Sequence, residues 1–305
     1  MSVSVVLKNV ATTIGEGPHW DVEAKVLWFV DIEAGDVYKY DPAMDRHSKV
    51  HLDGPVGFAI PTKGHPDGES LVVGLGTTIS LLSWKTGKVT CLQNMEPGTK
   101  NRCNDGKCDP YGRLWAGTMG PEGKPAEVER QKGSLYSLTK GKSKHHLGKI
   151  DISNGIDWTE DQKTMYYIDS YPRKVYVFDY DIANGEISNQ RTAVDFGEGT
   201  VEERGFPDGC CLDTEGKLWV ACYNSGKVIR FDPETGKEIQ HVKMPVKRVT
   251  SCCFGGDNLD ELYVTCGKNG VTEEEFANQE HLAGSLFKVT GLGVRGRPMN
   301  YYQYS

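Results

Sequence analysis

Six copies of one short pattern run through the sequence from one end to the other. Each copy is a polar turn followed by a strongly apolar pair, as in residues 21–28 and 109–115. The second member of the pair falls at Trp28, Val72, Trp115, Tyr166, Trp219 and Tyr263. The intervals, roughly 45–50 residues, are typical of β-propeller blades, each built from four short strands.

A second pattern follows five of these copies after a short delay. Apolar and polar residues alternate over residues 36–41, 133–138, 174–179, 227–232 and 284–289. Alternation of period two indicates a strand with one buried face, here the third strand of a blade. We therefore predict an all-β fold, a six-bladed β-propeller with four antiparallel strands per blade, forming a single domain over residues 1–305. The alternating segment from Ser4 to Leu7 is expected to join the blade formed by the C-terminal part. An ordinary sandwich would not explain six phased copies.

Polar residues recur at a fixed distance before four of the apolar pairs. Eleven or twelve positions upstream stand Glu16, Asn104, Asn154 and Asp208, in blades one, three, four and five. In a propeller this segment is the innermost strand, so equal offsets place the four side chains together at one mouth of the channel. Each lies in a glycine-containing run, which allows close backbone approach. Two carboxylates and two amides suit Ca²⁺, Mg²⁺ or Mn²⁺. The alternative is that they merely form turns.

The same phasing predicts what surrounds this mouth. The connection from the second to the third strand is long in blade three, Met119 to Lys132, and in blade six, Gly267 to Ala283. Both loops are candidates for a lid or a pocket wall. Arg102 lies two residues before Asn104 and could bind an oxyanion or a ligand carboxylate.

Composition limits the possible partners. The formal net charge is -7, and no long basic run occurs, so nucleic-acid binding is not expected. We see no secretory signal and no apolar stretch that could span a membrane. The nine cysteines include no Cys-x-x-Cys pair, which favours reduced thiols in a cytoplasmic protein. A small-molecule substrate is expected, without an obligate protein partner.

The motifs at these positions resemble the regucalcin / senescence marker protein / gluconolactonase family. They are residues 15–20, 101–107, 115–119, 153–158 and 207–209, and the resemblance covers essentially the whole chain in the same order. It implies a six-bladed propeller that is a lactonase-like, metal-dependent hydrolase with one divalent cation, Ca²⁺, Mg²⁺, Mn²⁺ or Zn²⁺. By the same resemblance, the metal ligands are Glu16, Asn154 and Asp208, and the substrate contacts are Arg102, Asn104 and Glu122. The match is poorer around Glu122.

Within the family, the sequence looks most like the insect (firefly) luciferin-regenerating branch. That likeness implies hydrolysis of oxyluciferin to 2-cyano-6-hydroxybenzothiazole, besides hydrolysis of sugar lactones. In the mechanism we expect, a cation polarises a carbonyl, and water is activated by the metal or by Asp208 as general base. The alternatives are a calcium-binding regulatory protein without catalysis and a protein-interaction propeller. Arg102 and Asn104 favour the enzyme, since a pure ion binder would not need them.

Overall fold

The structure, a computed structural model, describes residues 1–65, 68–124 and 127–304, without the side chain of Lys124. Pro66 and Asp67, which open the second copy of the repeat, lie outside the described residues. So do Pro125 and Ala126 of the blade-three loop, and the last residue, Ser305. Within the described part, six antiparallel sheets of four strands follow one another around a central channel.

The first three blades use consecutive strands, numbered here from the channel outwards. Blade one contains Gly15–Asp21, Val26–Asp31, Asp36–Asp41 and Arg46–His51. Blade two contains Val56–Lys63, Ser70–Leu75, Thr78–Ser83 and Val89–Asn94. Blade three contains Arg102–Cys108, Leu114–Met119, Gly133–Thr139 and Lys142–Ile150.

The last three blades repeat the arrangement, and the sixth takes its outer strand from the start of the chain. Blade four contains Ser153–Trp158, Thr164–Asp169, Lys174–Asp181 and Glu186–Asp195. Blade five contains Phe206–Leu212, Leu218–Tyr223, Lys227–Asp232 and Lys237–Lys243. Blade six contains Val249–Gly255, Glu261–Cys266, Leu286–Thr290 and Ser2–Leu7.

The apolar pairs of the repeat form the second strands, and their side chains hold neighbouring blades together. Trp28, Trp115, Trp219 and Tyr263 are all buried. The described apolar residues form six clusters, and each cluster lies between two adjacent blades. Burial of these faces stabilises the ring by about 25 cal/mol per Å² of apolar surface. The predictions of six blades and of their second and third strands are confirmed.

Ring closure also follows the prediction. Ser2–Leu7 pairs antiparallel with Leu286–Thr290, with Ser2 opposite Thr290. Beyond that strand, the C-terminal segment crosses the channel end opposite the mouth described below. The Arg297 guanidinium donates to the Trp158 carbonyl oxygen, 2.5 Å away, and Tyr302–Gln303 adds a parallel strand to Val56–Lys63.

Short additional elements occur in the connections. Helices cover Val201–Arg204 and Glu273–Asn278, and a 3-10 turn covers Phe196–Glu198. The second helix lies within the segment Thr272 to His281, which the sequence marks as its best helical candidate. Its start is fixed by a capping box between Thr272 and Glu275. In the part of the chain that the structure describes, no helix is long and apolar enough to cross a membrane.

Candidate functional site

Strand register brings the four predicted polar residues to equivalent positions. In blade one, His19 pairs with Trp28 of the repeat, and Glu16 lies three residues before His19. The same step back from Lys107, Asp157 and Cys211, which pair with Trp115, Tyr166 and Trp219, gives the other members. These are Asn104, Asn154 and Asp208. All four line one cavity of about 160 Å³ at a single mouth of the channel.

Register also identifies the members that blades two and six contribute, which the sequence analysis missed. Ile60 pairs with Val72 and Cys253 with Tyr263, so the equivalent residues are Gly57 and Thr250. Gly57 is required by close packing, because a Cβ there would stand 2.2 Å from the Asn104 carbonyl oxygen. Thr250 lines the cavity and donates to the carbonyl oxygen of Gly15, 2.6 Å away.

Hydrogen bonds link these positions from blade to blade. The Asn104 amide nitrogen donates to Asn154 Oδ1 at 3.0 Å and to the carbonyl oxygen of Ser153 at 2.8 Å. Asn154 Nδ2 in turn donates to Ser170 Oγ at 2.8 Å, and Ser170 Oγ donates to the Pro207 carbonyl oxygen at 2.7 Å. Because its amide nitrogen is fixed in this way, Asn154 has a set orientation, and the backbone just before Asp208 is held in place.

Two carboxyl groups face each other at the floor of the cavity. Glu16 and Asp208 are each more than nine-tenths buried and close enough to share a hydrogen bond. Burial, followed by the negative charge of Asp105, raises the pKa of Glu16 from 4.5 to about 8. Burial, followed by the charge of Glu16, raises the pKa of Asp208 well above its ordinary value. Two ionised carboxylates here would be strongly unfavourable without a nearby positive charge.

This floor fits a hard cation. Among residues 1–65, 68–124 and 127–304, no cluster of three or more His, Cys, Asp or Glu could hold a metal ion. A cation at this mouth would therefore need the mixed set of carboxylate and amide oxygens. Such oxygen sets are what Ca²⁺ and Mg²⁺ prefer, with water completing the shell. A divalent cation would also relieve the repulsion between Glu16 and Asp208.

Arg102 brings positive charge to the same cavity. Its guanidinium donates to Asn104 Oδ1 at 2.6 Å and to the Cys103 carbonyl oxygen at 3.2 Å. Burial lowers its pKa, whereas the negative charges of Glu122 and Glu33 act in the opposite direction. Glu122 lies on the strand Glu122–Lys124 and lines the cavity with Arg102. The three predicted substrate contacts are thus brought together, and Asn104 also bridges Arg102 to Asn154.

The cavity walls are largely apolar, in contrast to its floor. They include Ile14, Ile32, Met119, Val128, Ile152 and Phe206. Met119, Glu122 and Val128 come from the blade-three loop, whose short hairpin pairs Glu122 with Val128. Of the described residues that line the cavity, none comes from the blade-six loop. The blade-three loop is therefore a pocket wall, and the blade-six loop lies further out.

The fold and this mouth define a propeller of the lactonase and regucalcin type. The family described as SMP-30/Gluconolactonase/LRE-like region matches residues 14–268, which include Glu16, Arg102, Asn104, Asn154 and Asp208. The chain therefore belongs to that family.

Individual relatives agree with the family match along nearly the whole chain. Regucalcin of Xenopus laevis is 46% identical over 285 residues, which cover 93% of this chain and 92% of that protein. A luciferin-regenerating enzyme has a similar structure, with a TM-score of 0.89 and 38% identity, covering 99% of this chain and 100% of that one. A calcium-binding regucalcin of Agrobacterium tumefaciens shares the fold, with a TM-score of 0.88 at 24% identity over 99% of this chain and 97% of that one.

Proposed function

We propose that this chain is a divalent-metal-dependent hydrolase of lactones. The observation that carries the proposal is the pair of buried, facing carboxyl groups, Glu16 and Asp208, at the floor of a substrate-sized cavity. Membership of a family that includes gluconolactonases supports the reaction class. The relatives named regucalcin and calcium-binding protein support the cation.

Each polar residue at the floor is assigned one role. Glu16, Asn154 and Asp208 would hold the cation, which when bound supplies a Lewis acid for the substrate carbonyl. Asp208 also removes a proton from the attacking water. Arg102 and Asn104 orient the substrate and face its developing negative charge. Glu122 holds Arg102 in its charged form and contacts the substrate from the blade-three loop.

The apolar walls favour oxyluciferin as a second candidate substrate. Ile14, Ile32 and Phe206 offer a surface on which a flat aromatic ring can pack. The 38% identity to a luciferin-regenerating enzyme over the whole chain supports the same candidate. The product would be 2-cyano-6-hydroxybenzothiazole. We place the protein in the cytoplasm, because all nine cysteines are free and eight of them are buried.

Turnover with and without metal tests the proposal directly. The purified protein is stripped with EDTA and assayed on δ-gluconolactone and on oxyluciferin. Ca²⁺, Mg²⁺, Mn²⁺ or Zn²⁺ is then added back one at a time. We expect the stripped protein to be inactive and at least one cation to restore hydrolysis. Full activity after exhaustive chelation would contradict metal dependence. Tight Ca²⁺ binding without turnover of either substrate would favour a calcium-binding regulatory protein.

Cation binding should strengthen as pH rises, because the cation takes the ionised carboxylates. In the metal-free protein, the raised pKa of Glu16 makes folding most favourable below about 4.5, and that contribution is lost as pH rises through about 8. A bound cation reverses this loss. We therefore expect the rise in Tm caused by a fixed Ca²⁺ concentration to be larger at about pH 8 than at about pH 5. An equal rise at both pH values would show that Glu16 and Asp208 are not the ligands.

A further inference from the structure

A tyrosine outside the predicted set also faces the cavity. Tyr223 ends the second strand of blade five, where it pairs with Phe206, two residues before Asp208. Its side chain lines the cavity next to the carboxylate floor. Burial raises its pKa to about 12, and the charges of Asp208 and Glu122 act in the same direction. The phenol therefore stays protonated at neutral pH and can act as a hydrogen-bond donor.

Arg248 fixes the position of this hydroxyl group. The backbones of Tyr223 and Arg248 form an isolated bridge between blades five and six, and the guanidinium of Arg248 hydrogen-bonds to the phenol. Arginine can only donate, so the phenol oxygen is the acceptor in this contact. The hydroxyl proton is left for a group within the cavity.

The blade-six loop anchors Arg248 in turn. Arg248 Nη2 donates to the carbonyl oxygen of Gly270 at 2.9 Å and lies 3.9 Å from the carboxylate of Glu275. The side chain of Arg248 is only 15% exposed. Although this loop lies outside the cavity wall, it reaches the cavity through Arg248 and Tyr223.

We propose that Tyr223 is a further catalytic residue, whose hydroxyl donates a hydrogen bond to the ring oxygen of the lactone as that oxygen departs. Arg248 is its positioning residue. The inference rests on the proposed lactone hydrolysis. In that reaction a C–O bond forms to the oxygen of water and the bond between the acyl carbon and the ring oxygen breaks. One proton of the water ends on the ring oxygen and the carboxylic acid product ionises. The ring oxygen carries the leaving negative charge, which Tyr223 would stabilise.

The chemistry of the leaving group provides the test. In δ-valerolactone the departing oxygen is an alkoxide, which needs strong help. In dihydrocoumarin it is a phenoxide, whose conjugate acid has a pKa of about 10, so it departs with little help. We expect Tyr223→Phe to lower kcat/KM for δ-valerolactone by about 10²-fold, the usual effect of removing such a donor. For dihydrocoumarin we expect a loss of less than about 5-fold, because its leaving oxygen carries less charge demand.

Two more variants make the result specific. Tyr171→Phe is the matched control, because Tyr171 also lines the cavity, but its ring lies against Arg130, 4.4 Å from the guanidinium carbon. It should change both lactones by the same factor. Arg248→Lys, which keeps the charge but not the full set of contacts, should lower δ-valerolactone turnover selectively, as Tyr223→Phe does. An unchanged rise in Tm with Ca²⁺ shows that each variant is folded and loaded.

Equal losses on both lactones in Tyr223→Phe, or no loss on either, would overturn the assignment of Tyr223. A leaving-group effect in Tyr171→Phe of the same size would do so as well. Failure of the proposed function gives a different result, because the unmodified, metal-loaded protein would then hydrolyse neither lactone.

Discussion

Replacing Asp208 with alanine is expected to abolish cation binding and lactone hydrolysis together. The substitution removes one of the two buried carboxylates at the cavity floor and, with it, the group we assign as general base. Loss of general-base catalysis alone typically costs about 10²–10⁴ in rate, and loss of the cation adds to this. We expect kcat/KM to fall by at least about 10³. Calorimetric titration with Ca²⁺ or Mn²⁺ and steady-state kinetics would measure the two losses.

Two further substitutions make this result interpretable. Asp208→Asn keeps the shape of the side chain but removes a charge that repels Glu16, so the metal-free variant should have a higher Tm than the unmodified protein. Asp157→Asn is the matched control, because Asp157 is a carboxylate on an inner strand that does not line this cavity. Its cation affinity should be unchanged. Tight cation binding by Asp208→Ala would contradict the proposed ligand set.

Arg102→Ala is expected to lower kcat/KM by about 10²-fold while cation affinity stays close to normal. Arg102 contacts Asn104 and the cavity, and we assign it to the developing negative charge of the substrate. Glu16→Ala should behave in the opposite way. Its turnover should be low at low cation concentration and recover partly when the cation is raised, because only occupancy of the site is affected.

Arg102→Lys separates charge from geometry. Lysine retains the positive charge but cannot reproduce the paired contacts of the guanidinium with Asn104 and the Cys103 carbonyl, so we expect an intermediate rate. If Arg102→Ala left the hydrolysis of both δ-gluconolactone and oxyluciferin untouched, the polar residues above the carboxylates would have no catalytic part. The calcium-binding alternative would then be preferred.

Much of the architecture can be predicted from the sequence because the repeat is written in buried residues. Each apolar pair must lie between two blades, so its spacing gives the number of blades. The equivalent residues Gly57 and Thr250 escape the same count, because the turns after the first strands of blades two and six are longer. Counting back eleven or twelve positions from Val72 or Tyr263 therefore stops short of them. Only strand register shows that they share the layer of Glu16.

The candidate site is predictable in its members but not in its connections. Glu16, Asn104, Asn154 and Asp208 share an offset, which is visible in the sequence. The bonds that orient them depend on backbone geometry: Ser170 accepts from Asn154 and donates to the Pro207 carbonyl, which no spacing rule indicates. The contact of Tyr223 with Arg248 likewise joins two blades through side chains whose directions the sequence does not give.

The way in which the ring closes has a consequence for the synthesis of the protein. Ser4 hydrogen-bonds to the carbonyl oxygen of Lys288, 284 residues further along the chain. At translation rates of about 5–20 residues per second, the first strand waits roughly 15–60 s for its partner. During that time blade one has no neighbour on its blade-six side, and the apolar side chains of Trp20 and Phe29, which later pack against blade six, remain uncovered. Nascent chains of this kind depend on folding helpers that cover such surfaces, and their cation site can form only after release from the ribosome.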